Sequence, residues 1–174
     1  MGFVDTTPNP QLPWFYNLVH AVGKDCPNQS NDVKLVQYML KRLYDIGITQ
    51  TGIARVWQRP KGNLTVDGWC GDATRNWILK FQLDVRQSGY SVLADRRVDR
   101  ARGHSNGSIS NTTYTIIWLN YLLMYNDTDD YANIWQKIPV ILDGNVPPPS
   151  ADVINQQQSA DVINQPPVPG YVNY

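Results

Sequence analysis

Side chains suited to acid–base or nucleophilic chemistry are sparse in this chain of 174 residues. The two histidines, His20 and His104, lie far apart, one in an aromatic segment and the other in a loop rich in Gly and Ser. The sequence shows no His-Glu-x-x-His motif, no Cys-x-x-Cys pair and no glycine-rich phosphate loop. We therefore predict a protein that is not an enzyme, with no catalytic residue, no metal and no cofactor.

The most informative segment runs from Leu64 to Gln82. Asp67 and Gly68 are typical of a tight turn, where a residue with positive φ is needed. After Gly71, four side chains follow at the i, i+3, i+4 and i+7 spacing of one helical face: Thr74, Trp77, Ile78 and Phe81. The segment predicts a turn that leads into a helix capped by Asp72, and it explains Asp67 better than a role as general base.

A second helix is predicted upstream, from about Val33 to Tyr44. Asn31 or Asp32 is placed to cap it, and Gly47 is placed to end it. Its apolar residues again recur at helical spacing, and they are Val33, Val36, Leu40 and Leu43.

Together the two helices and the turn resemble the peptidoglycan-binding-like domain, a small three-helix module. Its signature has Leu-Gln on helix one, then Asp-Gly-x-Phe-Gly-x-x-Thr and Phe-Gln on helix two. The matching residues are Val36, Gln37, Leu40, Asp67, Gly68, Gly71, Thr74, Phe81 and Gln82.

The resemblance implies that the chain binds peptidoglycan through aromatic and hydrogen-bonding side chains around this turn. The contact candidates are Trp69, Arg75 and Asn76. In the same interpretation four residues form the turn, and they are Asp67, Gly68, Gly71 and Thr74.

A third helix is predicted from about Thr113 to Tyr125, capped by Ser110 or Asn111. It follows a weaker turn at Arg97-Val98-Asp99 and a polar loop. The helix is apolar nearly all round, which favours burial in the core. The alternative is that its outer face binds a partner. The sequence thus predicts a mainly α fold, with the three-helix module at residues 31–125, an extended N-terminal arm at 1–30 and a Pro-rich C-terminal tail.

Composition excludes some partners. Lys and Arg together number 15, as do Asp and Glu, so the formal charge is zero, and binding to nucleic acid is not expected. No apolar run is long enough to cross a bilayer. The N-terminus has no basic and apolar signal-peptide pattern. We expect an assembly-associated or cytoplasmic protein that reaches the cell envelope, if it does, by another route.

The N-terminal arm at residues 1–30 carries the aromatic cluster Trp14, Phe15 and Tyr16. Two interpretations are open. The cluster starts a short helix from about Pro13 to Val22 that packs on the module, or it anchors a neighbouring subunit, where Trp and Tyr often dominate the binding energy.

Residues 126–146 form a second apolar patch that we expect to pack on the core or on a neighbour. The tail at 147–174 contains the heptapeptide Ser-Ala-Asp-Val-Ile-Asn-Gln twice, beginning at Ser150 and Ser159. Its Pro and Gln content is typical of a disordered linker. Alternatively each copy binds an equivalent pocket on neighbouring copies of the chain, through five candidate side chains: Val153, Ile154, Val162, Ile163 and Tyr171.

Two cysteines leave the redox state open. Cys26 and Cys70 would bridge the N-terminal arm to the motif turn if oxidised. In a reducing compartment Cys70 instead serves as a small apolar residue where the family usually has Phe.

Two functions follow from these observations. The arms favour a structural protein of a large assembly, such as a phage particle or a contractile injection machine, whose partners are other copies of itself or other subunits. The alternative is a module that binds the peptidoglycan of the bacterial wall. Fold alone does not choose between them.

Overall fold

The computed structural model describes residues 2–6, 12, 14–48, 57–102, 108–109, 112–141 and 147–160. About 48% of these residues are helical, so the fold is mainly α, as predicted. The described helices are α1 (Ser30–Ile46), α2 (Asp72–Gln87), α3 (Thr115–Asn126), α4 (Thr128–Ala132), α5 (Ile134–Lys137) and α6 (Ala151–Ala160).

Short strands surround the helices. In chain order they are β1 (Gly2–Thr6), β2 (Trp14–Asn17), β3 (Val22–Gly23), β4 (Arg97–Val98), β5 (Ser108–Ile109), β6 (Thr112–Thr113) and β7 (Val140–Ile141). They form a three-stranded sheet in the order β2-β1-β7 and two small ladders, β3-β4 and β5-β6. In the larger sheet β1 is antiparallel to β2 and parallel to β7.

Helix α1 extends beyond the predicted bounds at its N-terminus. It begins at Ser30, so neither Asn31 nor Asp32 is its cap. The buried Asp32 carboxylate instead accepts hydrogen bonds from the N–H groups of Val19 and His20, both at 3.2 Å. The predicted cap therefore ties the preceding loop to the helix. Gly47 ends α1 with φ of +65°, as predicted.

Helix α2 also begins without the predicted cap. Gly71 occupies the N-cap position and Asp72 is the first helical residue. The Asp72 carboxylate accepts a hydrogen bond from Arg75 Nη2 at 2.7 Å, because a charged partner one turn along competes for it.

Helix α3 begins later than predicted, at Thr115, because Thr112 and Thr113 pair in a ladder with β5. Tyr114 is the N-cap, which makes Ser110 or Asn111 wrong as caps; those two residues lie outside the described part of the chain. Residues 115–124 are all buried, which confirms the core interpretation. Helices α1 and α4 and strand β2 of the same chain cover α3.

The aromatic cluster forms strand β2, so the prediction of a short helix was wrong. Trp14, Phe15 and Tyr16 are buried in the core of their own chain. Aromatic side chains favour strands, and pairing with β1 supplies the backbone hydrogen bonds. The Trp14 ring also stacks on Tyr131 of α4, with centroids 4.7 Å apart.

A buried asparagine of α3 holds strand β2 in place. Asn120 Oδ1 accepts from Tyr16 N–H at 2.7 Å, and Asn120 Nδ2 donates to the Tyr16 carbonyl at 2.9 Å. The Tyr131 hydroxyl donates to the same Oδ1 at 3.0 Å. One amide thus joins β2, α3 and α4, and burial raises the pKa of Tyr16 and of Tyr131 far above the usual value.

The described part of the apolar patch at 126–146, residues 126–141, packs on the core of its own chain; residues 142–146 lie outside the described part. Tyr131, Ala132, Ile134 and Ile138 are buried there. Beyond it, the first heptapeptide copy lies largely in α6, which packs against α4. This part of the tail is therefore helical rather than a disordered linker.

Asn120→Ala is expected to lower the free energy of unfolding by about 3 kcal/mol, because it leaves backbone groups of Tyr16 and the Tyr131 hydroxyl without their buried partner. Urea unfolding followed by circular dichroism measures this. Asn126→Ala is the matched control, since Asn126 is only half-buried on the same helix and should cost about 1 kcal/mol or less. Equal losses in the two variants would contradict the role given to Asn120.

Candidate functional site

The motif turn is organised by one buried side chain, Gln37 of α1, which is 1% exposed. Its Nε2 donates to Asp67 Oδ1 at 2.9 Å, to the Trp69 carbonyl at 3.1 Å and to Thr74 Oγ1 at 3.0 Å. Its Oε1 accepts from the N–H groups of Asp67 and Gly68, at 3.1 and 2.9 Å. The amide has its full complement of partners, so the turn has one fixed geometry relative to α1 and α2.

Gly68 is required by both its conformation and its surroundings. Its φ is +80°, and a Cβ would lie 2.3 Å from Ser30 Oγ and 2.9 Å from the Ser30 carbonyl oxygen. The turn therefore lies against the start of α1 too closely for any side chain.

Asp67 stabilises the turn as a carboxylate. Its Oδ1 accepts from the Trp69 N–H at 2.8 Å as well as from Gln37. The Trp69 bond first, and the Gln37 bond second, lower the pKa of Asp67 below its usual value. The prediction that Asp67 is a turn residue agrees with this geometry.

Trp69 combines a fixed backbone with a free indole. Its N–H bonds Asp67, and its carbonyl accepts from Gln37 Nε2 and from Thr74 Oγ1, the latter at 3.2 Å. Its side chain is 76% exposed, whereas Trp14, Trp57, Trp77 and Trp118 are buried and Trp135 is half-buried. Trp69 is thus the one exposed indole among the six tryptophans, all of which lie in described residues.

Gly71 adjoins this indole. A Cβ at residue 71 would lie 3.3 Å from Cδ1 and Nε1 of Trp69. The absence of a side chain there leaves room for the ring beside the backbone, which assigns Gly71 a steric role.

Arg75 lies beside the turn, and Asn76 lies further around α2. Arg75 Nη1 donates to the Cys70 carbonyl at 3.1 Å and Nη2 to Asp72, so its guanidinium is bound to the turn. Pairing with Asp72 raises the pKa of Arg75 and lowers that of Asp72. Asn76 is exposed one residue on, about 100° around the helix. The surface of Trp69 and Arg75 is called the Trp69 face below.

A second turn repeats the arrangement one helix later. Gln82 of α2 is fully buried, and its Nε2 donates to Asp95 Oδ1, to the Arg97 carbonyl and to Thr115 Oγ1, at 3.1, 2.8 and 3.1 Å. Its Oε1 accepts from Arg96 N–H at 3.0 Å, and Asp95 Oδ1 accepts from Arg97 N–H at 2.9 Å. The bonded atoms correspond to those around Gln37, except that Gln82 Oε1 accepts from one backbone N–H group and Gln37 Oε1 from two.

The predicted position of this second turn, Arg97-Val98-Asp99, is two residues too late, since the turn lies at Asp95 and Arg96. Arg97 and Val98 instead form β4, which pairs with β3. The turn residue with positive φ is Arg96, at +64°, where the first turn has Gly68. The sequence signal of the second turn is a Gln on the preceding helix, an Asp in the turn and a Thr on the following helix. The first turn has the same order in Gln37, Asp67 and Thr74, and the second has it in Gln82, Asp95 and Thr115.

A cavity of about 310 Å³ opens beside the second turn. The second turn, β6 and the start of α3 contribute its lining, which consists of Leu93, Asp95, Arg97, Asp99, Thr112, Thr113, Tyr114 and Thr115. It does not include any of the predicted contact residues.

The remaining candidates belong to the C-terminal tail. Ile154 is buried and Val153 is 43% exposed on α6, while Val162, Ile163 and Tyr171 lie outside the described residues. Cys26 and Cys70 are free thiols, half-buried, and burial raises the pKa of both. The alternative of a bridge between them is therefore not realised.

Metal binding and membrane insertion were also considered for the described residues. No group of three His, Cys, Asp or Glu side chains there is arranged to hold a metal ion. Within the same residues, no helix combines the length and apolar character needed to cross a membrane.

No protein-family model, no curated protein and no solved structure matches the chain. The interpretation of the site therefore depends on the geometry of the two turns and on the motif residues themselves.

Gln37→Glu is expected to lower the free energy of unfolding at pH 7 by about 3 kcal/mol, because a carboxylate would face three oxygen atoms in place of the donating NH₂. These oxygens raise the pKa of the introduced Glu in the folded state. Its penalty therefore shrinks as the pH falls towards 4, where the Glu is protonated. Urea unfolding at pH 7 and pH 4 measures both effects. Gln58→Glu, at an exposed position, is the control and should change little; a similar loss there would argue against the Gln37 network.

The lowered pKa of Asp67 predicts a loss of stability in acid. Its contribution is fully present above about pH 5, where the carboxyl is ionised even in the unfolded chain, and is lost as the pH falls through 4 and then through the lower folded-state pKa. Asp67→Asn retains an acceptor oxygen but does not titrate. Its free energy of unfolding should therefore fall less than that of the wild type between pH 5 and pH 2.5. Parallel pH profiles for the two proteins would show that Asp67 does not contribute.

Proposed function

We propose that this chain is a non-enzymatic binding protein built on a three-helix module of the peptidoglycan-binding-like type, formed by α1, α2 and α3. The repeated arrangement of Gln, Asp and Thr supports the proposal, because it places each helix at a fixed angle to the next. The motif residues in which the chain resembles that family are the ones that build the first turn.

The observation that carries the proposal is the exposed indole of Trp69 on an immobilised backbone. Binding costs less free energy when the contact residue is already ordered. An exposed aromatic ring also recovers free energy when a ligand covers it. The Trp69 face is therefore the proposed ligand-binding surface, in which Arg75 is a hydrogen-bond donor, and Asn76 further around α2 is a second donor.

The proposed ligand is the peptidoglycan of a bacterial cell wall. Its sugar rings present apolar faces that stack on an indole, and its hydroxyl and carbonyl groups accept hydrogen bonds from guanidinium and amide N–H groups. Wall binding was the alternative function predicted from the sequence. Burial of Trp14, Phe15 and Tyr16 within their own chain weakens one of the two arguments for binding a neighbouring subunit.

A second candidate function is that of a subunit in a large assembly, and the duplicated heptapeptide of the tail favours it. The two functions use different segments, so a particle component that touches the cell wall would combine them.

Trp69→Ala is expected to weaken retention of the full-length chain on purified insoluble peptidoglycan about tenfold or more, measured by co-sedimentation over a range of wall concentrations. The full chain is required because β2 and the core helices share one core. The variant should remain as stable as the wild type within about 0.5 kcal/mol, since the indole is exposed and the turn is held through the backbone.

Leu93→Ala is the matched control, because Leu93 is an exposed apolar residue, 61% exposed, away from the first turn. It should bind as the wild type does. If the wild type is not retained, or if Trp69→Ala is retained equally well, the Trp69 face is not a wall-binding surface.

A further inference from the structure

The two heptapeptide copies in the tail are identical in sequence. The structure describes the whole of the first copy but only Ser159 and Ala160 of the second, which end α6. Ile154 of that copy is 2% exposed and belongs to the core, whereas the neighbouring Val153 is 43% exposed. The isoleucine is therefore the anchor of the copy and the valine is not.

The first copy binds its own chain through one face of α6. Ala151 and Ile154 are three residues apart and both pack on the core, and Pro148 just before them is buried. The surface that receives this face includes α4 and is called the α4 surface. The second copy has the same pair of apolar residues at the same spacing, Ala160 and Ile163.

The spacing of the two copies decides how readily both can bind one α4 surface. Ile163 follows Ile154 by nine residues, which is 900° of rotation in a helix, half a turn more than two full turns. In an extended chain an odd spacing also directs side chains to opposite faces. In either regular conformation, positions nine residues apart face opposite ways, so this spacing disfavours binding of both isoleucines to one surface.

We propose that the second copy docks on the α4 surface of another copy of this chain. This proposal rests on the assembly function. A second copy of the chain is the occupant because its α4 surface is the one that this heptapeptide fits. When the second copy replaces a neighbour's first copy, the contacts of the Ala and Ile pair break and form again, whereas the contact of Pro148 has no counterpart before Ser159. The exchange therefore depends strongly on local concentration, as in domain swapping.

The test uses a full-length acceptor with Ile154→Ser and Ile163→Ser, which has an open α4 surface and no intact copy. The wild type is the donor, and Ile163→Ser is the matched donor that lacks the second anchor. Sedimentation velocity should show a complex of acceptor with wild type, and association at least about tenfold weaker with the Ile163→Ser donor. Equal association of the two donors, or none with either, would overturn the proposal.

If circular dichroism shows that the acceptor is unfolded, self-association of the wild type, Ile163→Ser and Val168→Ser decides the matter. Val168 lies outside both copies. Concentration-dependent association that is lost only in Ile163→Ser supports tail exchange, and identical behaviour of all three proteins excludes it. No residue of the Trp69 face takes part, so this assay and the peptidoglycan assay fail independently.

Discussion

The fold depends on the hydrogen bonding of two buried primary amides, Gln37 and Gln82. A buried amide is costly unless each of its donors and acceptors is bonded. Each of these two meets that condition with a turn and with the helix that follows the turn. A shift of either turn would leave polar groups unpaired in the core, so each amide fixes the direction in which the next helix leaves the turn.

Apolar packing alone would not supply this constraint. Helix α3 is apolar on nearly every side, and an all-round apolar helix can rotate in a core with little change in buried area. Asn120 removes that freedom, because it must face the backbone of Tyr16 and the hydroxyl of Tyr131. One amide on each of the three long helices therefore sets the relative orientation that the apolar residues stabilise.

The predictable part of this fold is the part encoded by periodicity and by glycine. The three long helices, the end of α1 at Gly47 and the turn at Gly68 follow from spacing and from the need for positive φ. Strand β2 could not be predicted, since its aromatic residues carry no period and its partners beyond β1 lie in distant segments. The predicted position of the second turn is two residues too late, because Arg96 adopts positive φ where a glycine would have marked the turn. The predicted helix caps were wrong for a further reason. The carboxylates of Asp32 and Asp72 bond Val19 N–H and Arg75, and these partners are known only from the folded structure.

The Trp69 face differs from the rest of the molecule in what its residues contribute to folding. Trp69 serves the turn through its N–H and carbonyl, which any residue would provide, and its indole adds little to the core. Gly71 is acceptable as the N-cap of α2 and also leaves space beside that ring. An exposed aromatic side chain on an ordered backbone suits the proposed binding surface, because aromatic residues contribute strongly to binding energy. The second heptapeptide copy is a similar case in the tail, because its Ala and Ile repeat a pair that already packs on the core of the same chain in the first copy. Both features are consistent with the proposed partners, the first with a ligand that has flat apolar faces and the second with another molecule of the same chain.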